Sequence, residues 1–159
     1  KGIEDFVEVA RRMPDVRFIW LGSINLWLIP RKIRDLVLYN HPENVEFPGY
    51  FKGAVFQGAM SGSDAFFFPS YEETEGIVVL EALASGQHVV LRDIPVYNGW
   101  IDEESAELCH NVDEFVESLR KVLDGKVDKR EAGYRVAESR SIDDVALQLV
   151  KAYQTVLEM

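Results

Sequence analysis

Pro69-Ser-Tyr-Glu-Glu-Thr-Glu-Gly-Ile-Val-Val-Leu-Glu-Ala-Leu-Ala-Ser-Gly86 follows directly on the apolar run Ala65-Phe-Phe-Phe68, and together they decide the fold. The Phe run reads as a buried strand, Pro69 and Ser70 end it, and the apolar-rich pattern from Gly76 to Ser85 reads as a packed helix. The unit is strand, loop, helix. The first N–H groups of a helix lack internal partners and carry the positive end of its dipole, so the amides near Gly76, Ile77 and Val78 form a seat for phosphate. Glu73 stays in the loop on one side of that seat. Glu81 lies five residues past Gly76, roughly 7.5 Å along the axis. Hydroxyls flanking a diphosphate, as in a nucleoside diphosphate sugar, match this order of acceptor, donor seat and acceptor.

Working outward, Ile3, Phe6, Val7 and Ala10 recur at helical spacing, and Pro14 ends that helix. Val16 to Leu21 is a β-rich run. Pro30 suits the first turn of a helix carrying Ile33, Leu36 and Val37, and Val45 to Phe47 is the next short strand. Ala54 to Ser61 predicts a short, weak helix. After the Gly76 helix come a strand at His88 to Leu91, a loose stretch from Pro95 to Glu104 and a last strand at Ala106 to Cys109. Helices dominate thereafter, with capped starts at Asn111 and Ser141. The alternation predicts an α/β domain, a Rossmann-like parallel sheet with helices on both faces, over residues 1–159. Ligands of such sheets sit where the βα loops gather at the strand carboxyl ends. That edge includes Gly22-Ser23, Pro48-Gly49-Tyr50, the 70–75 loop and Arg92-Asp93.

Composition bounds the function. A chain of 159 residues, 47% hydrophobic, buries a core without disulfides. The single cysteine, Cys109, forms no internal disulfide and reads as a small buried hydrophobe. A net charge of −10 argues against nucleic acid and against direct membrane contact by this domain. The basic run Pro30-Arg-Lys-Ile-Arg34 reads as a solvated helix start. No apolar segment reaches the roughly 18–20 residues needed to span a bilayer, and no signal-peptide pattern opens the chain. His41, His88 and His110 show no catalytic or metal spacing, and Ser70 lies in no nucleophile elbow. Trp20, Trp27 and Trp100 read as packing residues, Trp100 less firmly than the others.

Glu73, Glu81 and the following Leu80-Glu-Ala-Leu-Ala-Ser-Gly86 resemble the Glu-x7-Glu motif and Leu-Glu-Ala-x-Ala-x-Gly of retaining GT-B glycosyltransferases of the group-1 (GT4-type) family. Lys1-Gly2, Val16-Arg-Phe-Ile-Trp-Leu-Gly22, Asn44-Val-Glu-Phe-Pro-Gly49, Ser63-Asp64 and Val89-Val90 agree with that family's C-terminal domain, so the resemblance covers nearly the whole chain. It implies the donor-binding half of a GT-B fold and transfer of a hexosyl unit from a nucleoside diphosphate sugar to an acceptor hydroxyl, on a glycolipid or a polysaccharide, with retention. It places Glu73 and Lys1 at the reacting centre, with Lys1 at the diphosphate, Glu73 on the sugar, Glu81 on the ribose, Gly49 and Tyr50 at the base, and the Gly76, Ile77 and Val78 amides on phosphate. No metal or other cofactor is expected. Where the family has Glu-Gly-Phe-Gly this chain reads Glu73-Thr-Glu-Gly76, which bears on loop path and sugar choice. Asp93-Ile-Pro-Val-Tyr-Asn-Gly-Trp100 is similar, more weakly, to a loop of bacterial diacylglycerol glycolipid glycosyltransferases.

Lys1 stands directly before a helix, and the resemblance implies an excised fragment lacking its first strand and an N-terminal acceptor domain. A cytoplasmic location is expected, with the full-length enzyme at the inner face of the membrane. A noncatalytic nucleotide- or partner-binding module and a GT-B nucleotide-sugar epimerase are the alternatives. A NAD dehydrogenase is disfavoured because no Gly-x-Gly-x-x-Gly turn follows Leu21.

Overall fold

Five strands and seven α-helices alternate through residues 1–158, the part of the chain described by the computed structural model. In chain order they are α1 (Ile3–Arg12), β1 (Phe18–Leu21), α2 (Arg31–Leu38), β2 (Val45–Gly49), α3 (Ala54–Gly62), β3 (Phe66–Phe68), α4 (Ile77–Ala84) and β4 (Val89–Arg92). A 3-10 turn (Pro95–Tyr97), β5 (Glu107–Cys109), α5 (Val112–Leu123), α6 (Arg130–Glu138) and α7 (Ile142–Leu157) complete the chain. All strand pairs are parallel, as the alternation predicts.

The strands form two hydrogen-bonded groups, β1-β2 and β3-β4-β5, where the sequence predicts one sheet. β1 and β3 share no ladder. A continuous core joins them instead: the Phe6 ring of α1 lies 5.6 Å from both Phe18 of β1 and Phe67 of β3. β4 is the central strand of its group and all four residues are buried, which explains the unbroken apolar run Val89-Val-Leu91. Side chains alternate across it. Val90 joins Phe6, Val7, Phe18, Phe115 and Leu119 on the face covered by α1 and α5. Val89 and Leu91 join Met60, Val79, Leu83 and Tyr97 on the face covered by α3, α4 and α6. Helices therefore do cover both faces.

The ends of the helices follow local chemistry. Asn111 accepts the Glu114 N–H at 3.0 Å while Glu114 accepts the His110 N–H at 2.7 Å, a reciprocal cap on α5. Asn44 donates its side-chain amide to the carbonyls of Ala10, Met13 and Val16, tying the end of α1 to β2. α6 carries no strong apolar period and sequence alone does not delimit it. Gly133 lets it cross closely over α4: a Cβ there would lie 2.6 Å from a Leu83 methyl. α7 buries none of its residues, although Val145, Leu149, Tyr153 and Val156 recur along it. Trp20 packs on Phe6 and Trp100 on Tyr97, but Trp27 is 90% exposed in the loop after β1 and corrects the packing reading of that residue.

Candidate functional site

Gly76 is the N-cap of α4 and sits in the left-handed region at φ 82°. A Cβ at this position would meet the Tyr97 ring at 3.0 Å, so both backbone and packing require glycine. Its carbonyl accepts from Val79 and Leu80, which starts the helix and leaves the Ile77 and Val78 amides without intrahelical partners. Tyr97 itself is buried, and its hydroxyl has no hydrogen-bond partner among the described residues. Burial, with the Glu73 charge nearby, pushes its phenol pKa up.

Glu73 is held from two sides. Ser70, fully buried after the end of β3, donates its hydroxyl to Glu73 Oε1 at 2.6 Å. Lys1 Nζ approaches the same oxygen at 2.5 Å. The carboxylate is 10% exposed and the lysine 60%, so the pair sits at a rim where one partner remains in water. Lys1 reaches it because Gly2, at φ 78°, lies against the loop: a Cβ there would fall 2.1 Å from the Pro69 carbonyl oxygen. A lysine at the head of α1 and a carboxylate before α4 are thus brought together by a backbone contact that no other residue type permits.

The remaining sequence-predicted residues are not bonded into this group. Glu81 is exposed on α4, and among the described residues no cation pairs with its side chain. Gly49 ends β2 at φ 96°, its carbonyl accepting the Gly22 N–H at 2.9 Å, and Tyr50 is 68% exposed beside it. Two surface hollows, one between α1 and α2 and one beside Ser63, His88 and Arg130, include none of these residues. No group of three His, Cys, Asp or Glu side chains suited to a metal occurs among the described residues. The arrangement offers fixed amide dipoles, an exposed cation paired with Glu73 and a preheld carboxylate, a set suited to a negatively charged, hydroxyl-bearing ligand.

Sequence reasoning put Ser70 and Arg92 on the ligand edge without giving either a role, and missed Tyr97. Ser70 had a local signal, a hydroxyl three residues before a carboxylate after a strand end. The other two had none, since Arg92 and Tyr97 meet the loop only through the fold.

The family profile described as "Glycosyl transferases group 1" matches residues 1–125. Over its whole length the chain is 49% identical to a "Processive diacylglycerol alpha-glucosyltransferase" of Acholeplasma laidlawii, of which it covers 48%. Over 61% of its length it is 30% identical to an "Alpha-galactosylglucosyldiacylglycerol synthase" of Streptococcus pneumoniae, of which it covers 26%. The chain therefore spans half or less of the length of these curated relatives. Among solved structures, 99% of the chain superposes on 43% of a sucrose-phosphate synthase from Thermosynechococcus elongatus at TM-score 0.82 and 22% identity. It also superposes on 33% of the pneumococcal O-GlcNAc transferase GtfA, solved with UDP and GlcNAc, at TM-score 0.73 and 17% identity, again over 99% of the chain. These neighbours share the GT-B fold. With its parallel α/β layers, the Gly76 helix tip and a family match over most of its residues, this chain belongs to the group 1 glycosyl transferases.

Proposed function

We propose that the chain is the donor-binding domain of a retaining hexosyltransferase that moves a sugar from a nucleoside diphosphate to an acceptor hydroxyl, on a glycolipid in preference to a polysaccharide. The observation that carries the reading is the Lys1–Glu73–Ser70 group beside the free amides of α4. Lys1 and the Ile77 and Val78 amides neutralise the diphosphate as the glycosidic bond breaks, and they act most strongly on the charge that develops in the transition state. Lys1 leaves Glu73 for the phosphate, and Glu73 turns to the sugar hydroxyls while Ser70 keeps it oriented. Glu81 accepts from the ribose, and Gly49 and Tyr50 border the base. Charge compensation by Lys1 and the helix tip requires no metal. The names of the two curated relatives favour the glycolipid acceptor.

The reading includes a second half of the enzyme and a further strand. The apolar residues of α7 lie uncovered, and β1 and β3 have no ladder between them, so a strand pairing with both would complete one sheet. An acceptor domain would close over the Gly76 tip and seat against α7. No helix described here is long and apolar enough to cross a membrane, and the proposed enzyme works at the cytoplasmic membrane face.

A thermal-shift panel of UDP, GDP and ADP on the intact protein tests the donor reading. Nucleotide at 100 times its dissociation constant adds about 2.7 kcal/mol of stability. Glu81→Ala then weakens the preferred nucleotide by about 10-fold or more, as expected for loss of hydrogen bonds to a charged acceptor. Unchanged calorimetric affinity removes Glu81 from the site, and no shift with any nucleotide rejects the donor role.

A further inference from the structure

We propose that Arg92 is a positioning residue for the donor site, acting through a clamp with Asp5 and Tyr71 that sets Lys1 and Glu73 against each other; the inference rests on the donor-binding reading above. Arg92 is the last residue of β4 and its side chain is 8% exposed. Nη2 pairs with the Asp5 carboxylate, Nε donates to the Pro69 carbonyl at 3.2 Å, and Nη1 donates to the His110 carbonyl at 2.7 Å. Tyr71 closes the group: its hydroxyl donates to the same Asp5 oxygen at 2.7 Å, and its ring centroid lies 4.0 Å from the guanidinium carbon. Phe115 lies 5.1 Å away from the same carbon, within the core.

The choice of partners separates a clamp from an ordinary buried arginine. Asp5 lies in the first turn of α1, which Lys1 and the Gly2 cap precede, and Pro69 and Tyr71 flank Ser70, which orients Glu73. The Pro69 carbonyl that accepts from Arg92 is also the atom against which Gly2 is packed. One planar, permanently charged fork therefore fixes the base of α1 relative to the loop before α4, and those are the two segments that carry the Lys1–Glu73 pair. A lysine at position 92 keeps the charge but cannot reach Asp5 and two carbonyls at once with the same geometry. None of the three clamp residues hydrogen-bonds to Lys1 or Glu73, so their influence passes through backbone placement.

The test is a set of calorimetric titrations of the intact protein with UDP, and with GDP and ADP in parallel, for Tyr71→Phe, Arg92→Lys, Lys1→Gln and the two doubles with Lys1→Gln. Tyr71→Phe removes one exposed hydroxyl and its bond to Asp5; it keeps a single cooperative urea transition with a slightly lower midpoint and weakens the preferred nucleotide about 3- to 10-fold. Arg92→Lys weakens it by about 10-fold or more. In the Lys1→Gln background each loss shrinks to less than about twofold, because the group being positioned is gone. Equal losses with and without Lys1, or wild-type affinity in both single variants, overturn the clamp. Hydrogen exchange supplies the second readout: Tyr71→Phe speeds exchange in the Gly2–Phe6 and Ser70–Val78 segments together, and unchanged rates overturn the clamp whichever nucleotide binds. Failure of the wild type to bind any nucleotide sinks the donor reading itself and the clamp's role in it, an outcome separate from a clamp that exists without affecting binding.

Discussion

Gly76→Ala is the perturbation whose cost the structure defines most closely. Gly76 holds φ 82°, and an L-residue there gives up about 1–2 kcal/mol. The new methyl would lie 3.0 Å from Tyr97 Cε1, inside normal carbon contact, and Tyr97 cannot retreat because it is 2% exposed and packed on Trp100. Overpacking of this kind costs about 1–3 kcal/mol. Alanine also restricts the unfolded chain, which offsets about 0.4–1 kcal/mol. The unfavourable effects win, with a net loss of about 1–4.5 kcal/mol and a melting point lower by about 2–18 °C for a chain of this size. Urea denaturation followed by far-UV circular dichroism measures the loss. The contact share is isolated by repeating the substitution in a Tyr97→Leu background, where the cost of Gly76→Ala falls toward its backbone share. Wild-type stability for Gly76→Ala would refute both the left-handed cap and the Tyr97 contact. An equal cost in both backgrounds would refute the contact alone.

Tyr97→Phe deletes a buried hydroxyl that has no partner among the described residues, so it leaves stability unchanged or raises it by about 1 kcal/mol. A loss larger than that in urea denaturation would mean the hydroxyl is bonded in solution. Asp15 pairs with Arg120, and that bond holds its carboxyl down to about 2 from an ordinary 3.8. A carboxylate depressed in the folded state stabilises above its unfolded pKa and loses that contribution as pH falls through the folded value. Asp15→Asn is therefore expected to flatten the stability profile between pH 3.8 and about 2 and to leave its shape above pH 5 to 7 unaltered. Urea midpoints across that acid range check it, and a wild-type slope in the variant sinks the assignment.

The period of the residues was enough to find most elements. Val89 to Leu91 announce a buried parallel strand because both faces of the sheet are covered, so no polar residue interrupts them; Phe66 to Phe68 read as buried too, but β3 lies at the edge of its group and all three are only half-buried. Asn111 and Ser141 announce helix starts because a cap is made by residues three apart, a distance the chain itself sets. α6 was illegible because its position depends on Gly133 meeting Leu83, a contact between residues 50 apart. Trp27 was misread as packed because side-chain chemistry says how much burial is worth and leaves open whether the fold provides a partner.

At the site the division is sharper. The order of Glu73, Gly76 and Glu81 along the chain, and the amide-bearing tip between them, follow from local geometry, since a strand end, a left-handed glycine and a helix start are each encoded by a few neighbouring residues. That Lys1 meets Glu73, that Ser70 holds it, and that Arg92 and Asp5 lock α1 to the loop were decided only in three dimensions. The partners lie up to 87 residues apart, and such contacts form only when the sheet's burial fixes the loop ends relative to α1. Local sequence thus set the strand end, the glycine cap and the helix tip, and tertiary packing decided which distant side chains meet there.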